Sequence, residues 1–426
     1  MAESRALAEW RQYWYLPLVA ALGASSATLG IYGMGPFIKP LTEEFGWSRT
    51  DVMFGPFIAS ITGIIAGVII GLLVDRYGPR KLALIGVTWV TLAIALLGTI
   101  TGTKFDWLWH WALIATGAAL VMPTVWVSAV STRFEASRGL ALGLTLSGMT
   151  IGSSIFPPLG GWLVLNYGVR QGFTALGLIW LVLLLPLVFL FFRGANDGAE
   201  GRARKSAAAS AAAEGGAPAA PLPGLTLSEG LRGGAFYKLM IAGGVYSLVL
   251  VGLNVHLVPL LEDRGVPAME AAWIASLLGY FSVTSRLVTG HLMDRIRPDL
   301  VGGAAFILPT IGCGLLLLPG SDLIIQVSAV AILGLSIGGE LGVVTYLSTR
   351  YFGMRNFGKL YGGVLIPMAI GTASGPLLAA AVFDQYKTYT PFLYLTIALM
   401  IVGGIALFAL GRPPVWEEAP APAPAE

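Results

Sequence analysis

Two ionisable residues sit in stretches otherwise apolar enough to cross a bilayer. Arg286 lies within "GYFSVTSRLVTGHLMDR", residues 279–295, and Glu340 within "LIIQVSAVAILGLSIGGELGVVTYLSTRYFG", residues 323–353. An arginine at the centre of a spanning helix costs at least about 2.5–3.5 kcal/mol, so each such residue asks for a function. Counted back from Asp294 and Arg350, which the pattern places at one membrane face, Arg286 lies about 12 Å and Glu340 about 15 Å along their helices. Two readings follow. The planar guanidinium of Arg286 binds a substrate carboxylate through two parallel hydrogen bonds, or it pairs permanently with Glu340. Glu340 in turn either carries a coupled proton, its uptake favoured when an anion occupies Arg286, or is a plain counter-ion.

The chain around these residues is 56% hydrophobic and 12% charged. That is half the roughly 25% charge of a soluble domain, and it identifies an all-α integral membrane protein in a lipid bilayer. A net charge of +3 with scattered basic residues speaks against nucleic acid as a partner. The single Cys313 excludes an intrachain disulfide and a cysteine-based metal site, and the three histidines show no paired metal-ligand spacing. No GxxxxGKS loop is present, so ATP drive is not expected; no cofactor or metal is expected either. With Glu3, Arg5, Glu9 and Arg11 ahead of a long apolar run, no cleavable signal is expected either.

Charged and turn-rich breaks divide the chain into twelve candidate spans, at about 14–38, 51–74, 82–102, 107–131, 139–165, 171–192, 237–261, 270–293, 300–318, 323–349, 356–382 and 389–411. The Ala/Gly/Pro/Ser-rich stretch 194–236 reads as a cytoplasmic linker between two six-helix bundles, 1–193 and 237–412, and 413–426 as a disordered Pro/Ala tail. Most of the 26 lysines and arginines fall at the helix ends that share a face with the termini and linker. This predicts both termini in the cytoplasm, in a cell (inner) membrane. Trp10, Trp14 and the run Trp107 to Trp111 read as interfacial belts, with His110 as another interfacial ring.

The two bundles are copies. An offset of 219 residues puts Gly33 on Gly252, Glu43 on Glu262, Gly46 on Gly265, Gly71 on Gly290, Asp75 on Asp294, Arg76 on Arg295, Gly143 on Gly362 and Pro157 on Pro376. Parallel repeats of this kind place a transporter's substrate site near the midplane between the halves. The same offset maps Arg286 onto Gly67 and Glu340 onto Val121. The first half therefore builds the equivalent helices without charge, and the fold does not need these two.

"GLLVDRYGPRKL", residues 71–82, resembles the loop between helices 2 and 3 that marks the major facilitator superfamily, and "GHLMDR" is its weaker echo. Gly71, Asp75, Arg76, Arg80, Asp294 and Arg295 then read either as a charge-assisted latch on the cytoplasmic side or as charges that set orientation. Within that superfamily, "FIKPLTEEFGWSRTDV", "RFEASRGLALGLTLSGMTIG" and "YLSTRYFGMRNFGKLYGG" resemble the monocarboxylate porters and their bacterial relatives. The resemblance implies a secondary transporter that carries a small monocarboxylate by rocker-switch alternating access, in symport with H⁺, with Arg286 matching the porters' carboxylate-binding arginine. The chain departs from them at Ser282, where animal porters have an acid, at Tyr32, where they have a lysine, and at its opening "YWYLPLVAA". The related oxalate/formate exchangers add a cation in helix 11, which here offers only Lys359 at its start. One intramembrane cation argues for one carboxylate.

Tyr32, Thr124, Ser128, Ser147, Asn254 and Tyr361 are candidates to complete the pocket, each with helix packing as its alternative. His256 reads as a gate, a proton relay, or an interfacial or satisfied histidine. Pro123 and Pro367 are expected to bend their helices. Three other functions stand beside symport: a carboxylate exchanger without proton coupling, a proton-driven exporter of amphipathic compounds, and a receptor on the same scaffold.

Overall fold

Proline, glycine and polar caps cut the apolar chain into helices in the computed structural model, which describes residues 2–195, 223–320 and 322–414. Within these, the side chains of residues 2–4, 67, 68, 75, 287 and 340 lie outside the described set, as do the linker core and the far part of the tail. Span 1 is Tyr15–Tyr32 continued by Gly35–Phe45, span 2 Arg49–Tyr77, span 3 Pro79–Leu96 and span 4 Lys104–Leu120 continued by Pro123–Ser131. A helix Arg138–Phe191 turns at Gly168 (φ 76°) and so holds spans 5 and 6. In the second half, span 7 is Gly234–Val255 continued by Leu257–Asp263, span 8 Ala268–Arg295 and span 9 Pro298–Leu317. Span 10 is Leu323–Ile337 continued by Glu340–Phe352, span 11 Phe357–Tyr386 and span 12 Thr390–Phe408. Ten helical segments among the described residues are long and apolar enough to cross a membrane. Dividing Arg138–Phe191 at its turn and adding Arg49–Tyr77, itself about 43 Å long, accounts for twelve.

The repeat holds in three dimensions. The turns at Gly46 and Gly265 both have positive φ (66° and 89°), as do those at Gly168 and Lys387 (76° and 55°). Lys387 is the one non-glycine residue among those described to adopt this conformation, in a turn that the first half closes with glycine. Each half buries its own hydrophobic core. The halves meet where span 5 packs on span 8 and span 2 on span 11.

The described residues that flank the termini and the connection between halves, Glu9, Gly194, Leu225 and Gly411, dock at one end, called here the linker end; the opposite end is the far end. Each half carries a brace at the linker end. Glu9, on the helix Ala2–Tyr13, accepts from the backbone N–H groups of Glu135, Ala136 and Ser137 and from the Ser137 hydroxyl, while Trp10 packs on the buried Phe134. At the end of the stretch read as linker, a bridge between Gly224 and Gly353 and a short helix Leu227–Arg232, closed by a Thr226–Glu229 capping box, dock on the equivalent loop of the second half.

One sequence expectation is corrected here. Trp107 and Trp111 are core residues, 1% and 0% exposed, and the Trp107 indole donates to the Val52 carbonyl. The helix period puts them on the inner face of span 4 and leaves Trp109 outward. His110 is likewise held inside, between the Asp106 carbonyl and the Thr99 hydroxyl.

Candidate substrate site and far-end closure

Arg286 sits where spans 5, 8 and 10 meet. Spans 8 and 10 approach backbone to backbone: a Cβ on Gly334 would fall 2.7 Å from the Leu278 carbonyl oxygen, and one on Gly338 would collide with the Ser282 carbonyl. Span 10 breaks at Gly338–Gly339, which leaves carbonyls at the end of Leu323–Ile337 without ladder partners. The guanidinium answers one of them: Arg286 Nε donates to the Gly338 carbonyl at 3.3 Å. Its Nη2 donates at 3.3 Å to the hydroxyl of Thr150, on span 5 of the other half.

Glu340 begins the helix that follows this break, so its backbone is next to the group Arg286 engages. Its side chain lies outside the described residues, and so does that of Asp75. Ser282, one turn before Arg286 and in the position where porters have an acid, is buried, and its hydroxyl has no partner among the described residues.

The remaining pocket candidates divide. Tyr361 shares a 2.6 Å hydrogen bond with Thr345 and stacks on Phe357. Tyr32 and Asn254 are half-buried just before the breaks in spans 1 and 7. Thr124 is exposed at the start of Pro123–Ser131, and Ser128 and Ser147 donate to their own helices at Val125 and Gly143. Span 4 breaks just before Pro123, whereas span 11 runs through Pro367 as continuous helix.

The far end holds a network that sequence reasoning missed. Arg49, 5% exposed, opens span 2 of the first half. It forms a two-point pair with Asp263 of span 7, Nη1 to Oδ2 at 2.7 Å and Nη2 to Oδ1 at 3.0 Å. It also donates to the Tyr389 hydroxyl at 2.7 Å and lies 3.5 Å over the Phe383 ring. Asp384 accepts the backbone N–H groups of Arg49 and Thr50 at 3.0 and 2.8 Å, while Ser48 takes that of Asp51. A carboxylate of the second half thus helps to cap a first-half helix, where the helix dipole favours negative charge. Tyr389 continues to His256, which is fully buried. His256 Nε2 faces the Pro376 carbonyl at 2.9 Å, which makes that nitrogen the donor and leaves Nδ1 to accept from Tyr389. His256 is therefore a satisfied histidine and the last member of a chain that begins at Arg49.

Spans 5 and 8 are also closed towards this end. A Cβ on Gly279 would lie 2.6 Å from the Ser153 hydroxyl and clash with that of Ser154. The linker end is different. Ideal Cβ atoms at the repeat-related pairs Gly71 and Gly290, Gly139 and Gly358, and Gly143 and Gly362 meet nothing within 4 Å. Arg76, Asp294 and Arg295 are exposed, and Arg80 donates within its own half to the Phe189 carbonyl at 2.6 Å. Spans 2, 5, 8 and 11 are joined at the far end and parted at the linker end, with Arg286 between.

Comparison with known proteins agrees with this arrangement of helices. A family model described as Major Facilitator Superfamily matches residues 20–362. Monocarboxylate transporter 4 of Rattus norvegicus is 25% identical over 395 residues, covering 88% of this chain and 79% of that protein. A gallate transporter of Pseudomonas putida is 26% identical over 389 residues, covering 80% and 82%. Among solved structures, a bacterial homolog of the human lysosomal transporter Spinster, in an inward-facing and occupied conformation, superimposes with a TM-score of 0.68 at 16% identity, covering 93% of this chain and 95% of that one. The last likeness concerns the fold alone.

Proposed function

This chain belongs to the major facilitator superfamily and is a multi-pass membrane transporter, not an enzyme; from that premise we propose that it moves a small monocarboxylate, held by Arg286, in symport with H⁺ carried by Glu340. The observation that carries the reading is the placement of the Arg286 guanidinium at the junction of both halves, with the interior parted on its linker side. An arginine fork at such a place, half-buried between the halves, offers a carboxylate two charge-assisted hydrogen bonds. The names of the relatives favour a carboxylate over other anions. The concentration of basic residues at the linker end favours both termini in the cytoplasm of a cell (inner) membrane, which makes this arrangement inward-facing.

Transport then alternates by rocking the halves about the site. To open outward, Arg49 must leave Asp263 and Asp384. Breaking a buried pair by deleting one partner costs about 3–5 kcal/mol, but rocking exposes both partners to water, where hydration offsets most of the lost attraction. A buried pair that contributes little net stability suits a gate, because neither state becomes a trap. On the linker side, Gly71, Asp75, Arg76, Arg80, Asp294 and Arg295 would meet in the outward-facing state.

Exchange without proton coupling is the second reading, favoured by Ser282 in the place of the porters' acid. Uptake into proteoliposomes separates the two. Arg286→Ala is expected to abolish carboxylate transport by a folded protein under either reading. Glu340→Gln is expected to lose gradient-driven accumulation and keep exchange; accumulation at the wild-type level would remove Glu340 from the proton path.

A further inference from the structure

Most hydroxyls buried in these spans have committed their proton to their own helix. On span 5 alone, Thr145 donates to the Ala141 carbonyl at 2.8 Å, Ser147 to Gly143 at 2.8 Å and Ser153 to Thr150 at 2.7 Å. Thr150 breaks this habit. Its hydroxyl accepts from Arg286 Nη2, and among the described residues it donates to no carbonyl. A hydroxyl has one proton to give and two lone pairs, so this one stands beside the guanidinium with its donor available.

We propose that Thr150 is the first half's contact to the substrate carboxylate, donating its hydroxyl proton to an oxygen that Arg286 of the second half already holds. The proposal rests on the carboxylate reading of Arg286 and deepens it. A carboxylate has about four lone-pair sites, and a two-point arginine pair fills two of them. Thr150 reaches one of the rest. In the empty site the Arg286–Thr150 bond joins the halves directly; in the loaded site the anion replaces it and bridges them.

The repeat supplies a control. The 219-residue offset carries Thr150 onto Ala369 and Arg286 onto Gly67, so the symmetry-related junction of spans 2 and 11 has neither group. The pair is thus not a requirement of packing two halves together. Thr150 also lies one helical turn beyond Ser147, so the two share a face of span 5 that presents Thr150 at the guanidinium.

The test is uptake of labelled pyruvate into proteoliposomes by the full chain and by Thr150→Val, Thr150→Ala and Thr150→Ser, with KM separated from the maximal rate. Valine keeps the shape and removes the hydroxyl. Loss of one hydrogen bond to a charged group predicts a KM raised about tenfold or more in Thr150→Val and Thr150→Ala, recovered to within about threefold in Thr150→Ser, with the maximal rate of exchange little changed. An unchanged KM in Thr150→Val, or a serine variant no better than valine, overturns the role of the hydroxyl. So does a loss confined to the maximal rate. If Arg286→Ala is inactive while Thr150→Val behaves as wild type, this inference fails and the carboxylate reading stands; if the folded wild type transports no carboxylate, both fail.

Discussion

The two ends of the molecule differ in kind. At the far end, one first-half arginine is wrapped by two second-half carboxylates, a tyrosine and a phenylalanine ring, and the backbones of spans 5 and 8 touch. At the linker end, Arg76, Asp294 and Arg295 are exposed, and glycines of spans 2, 5, 8 and 11 face open space. Yet the sequence advertises the second end and is silent about the first. A signature loop is legible because its residues are contiguous; a gate assembled from the starts and ends of spans 2, 7, 11 and 12 is not. The gate also breaks the repeat: Arg49 maps onto Ala268 and Asp384 onto Leu165, so no symmetry argument leads to it.

The largest expected effect of disturbing this contrast comes from Arg49→Met. It strands Asp263 without its cation, while Asp384 keeps the backbone N–H groups of residues 49 and 50; the loss of about 3–5 kcal/mol falls on the far-end-closed state alone. In a Cys313→Ser background with one cysteine in place of Asn254, labelling by an impermeant maleimide from the far side should rise about tenfold or more. Unchanged labelling would mean that the network does not hold this end shut.

Gly279→Leu acts on the same end by bulk instead of charge. Its side chain meets Ser153 and Ser154, and overpacking of this kind costs about 1–3 kcal/mol. The same labelling should rise by a smaller factor, with transport slowed. Equal effects from Gly279→Leu and a control substitution at the open Gly290 would erase the proposed difference between the two ends.

The smallest effect concerns the brace at the linker end. Burial works to raise the pKa of Glu9, but the amides of Ala136 and Glu135, with the hydroxyl and amide of Ser137, outweigh it and bring the value from 4.5 down to about 2. A depressed carboxylate stabilises the fold fully above the unfolded value, and that contribution fades as pH falls from about 4.5 towards 2. Thermal unfolding of the wild type should therefore shift downward across this window more than that of Glu9→Gln. Parallel pH profiles would remove Glu9 from the docking of the terminal helix.

Much of the architecture was open to reading because membrane spans obey few rules. Twelve apolar segments and one constant offset led to two six-helix halves, and the structure keeps that offset down to the turn dihedrals at Gly46 and Gly265. Arg286 was visible because charge is costly in a bilayer. What escaped depended on the direction of a side chain. Trp107 and Trp111 look interfacial by composition and are core by helical phase. Thr150 looks like any small polar residue until its neighbour across the halves is known. The relation of Glu340 to Arg286, the strongest pairing to suggest itself from the sequence, concerns a side chain outside the described residues.

The central claim is that Arg286 serves a substrate. Uptake of labelled lactate, pyruvate and aromatic monocarboxylates into proteoliposomes, with an inward proton gradient imposed or absent, tests it for wild type and Arg286→Ala together. The account predicts uptake by the wild type, stimulated by the gradient and absent in the variant. A folded wild type that takes up none of these acids, or an Arg286→Ala protein that transports as well as the wild type, would contradict it.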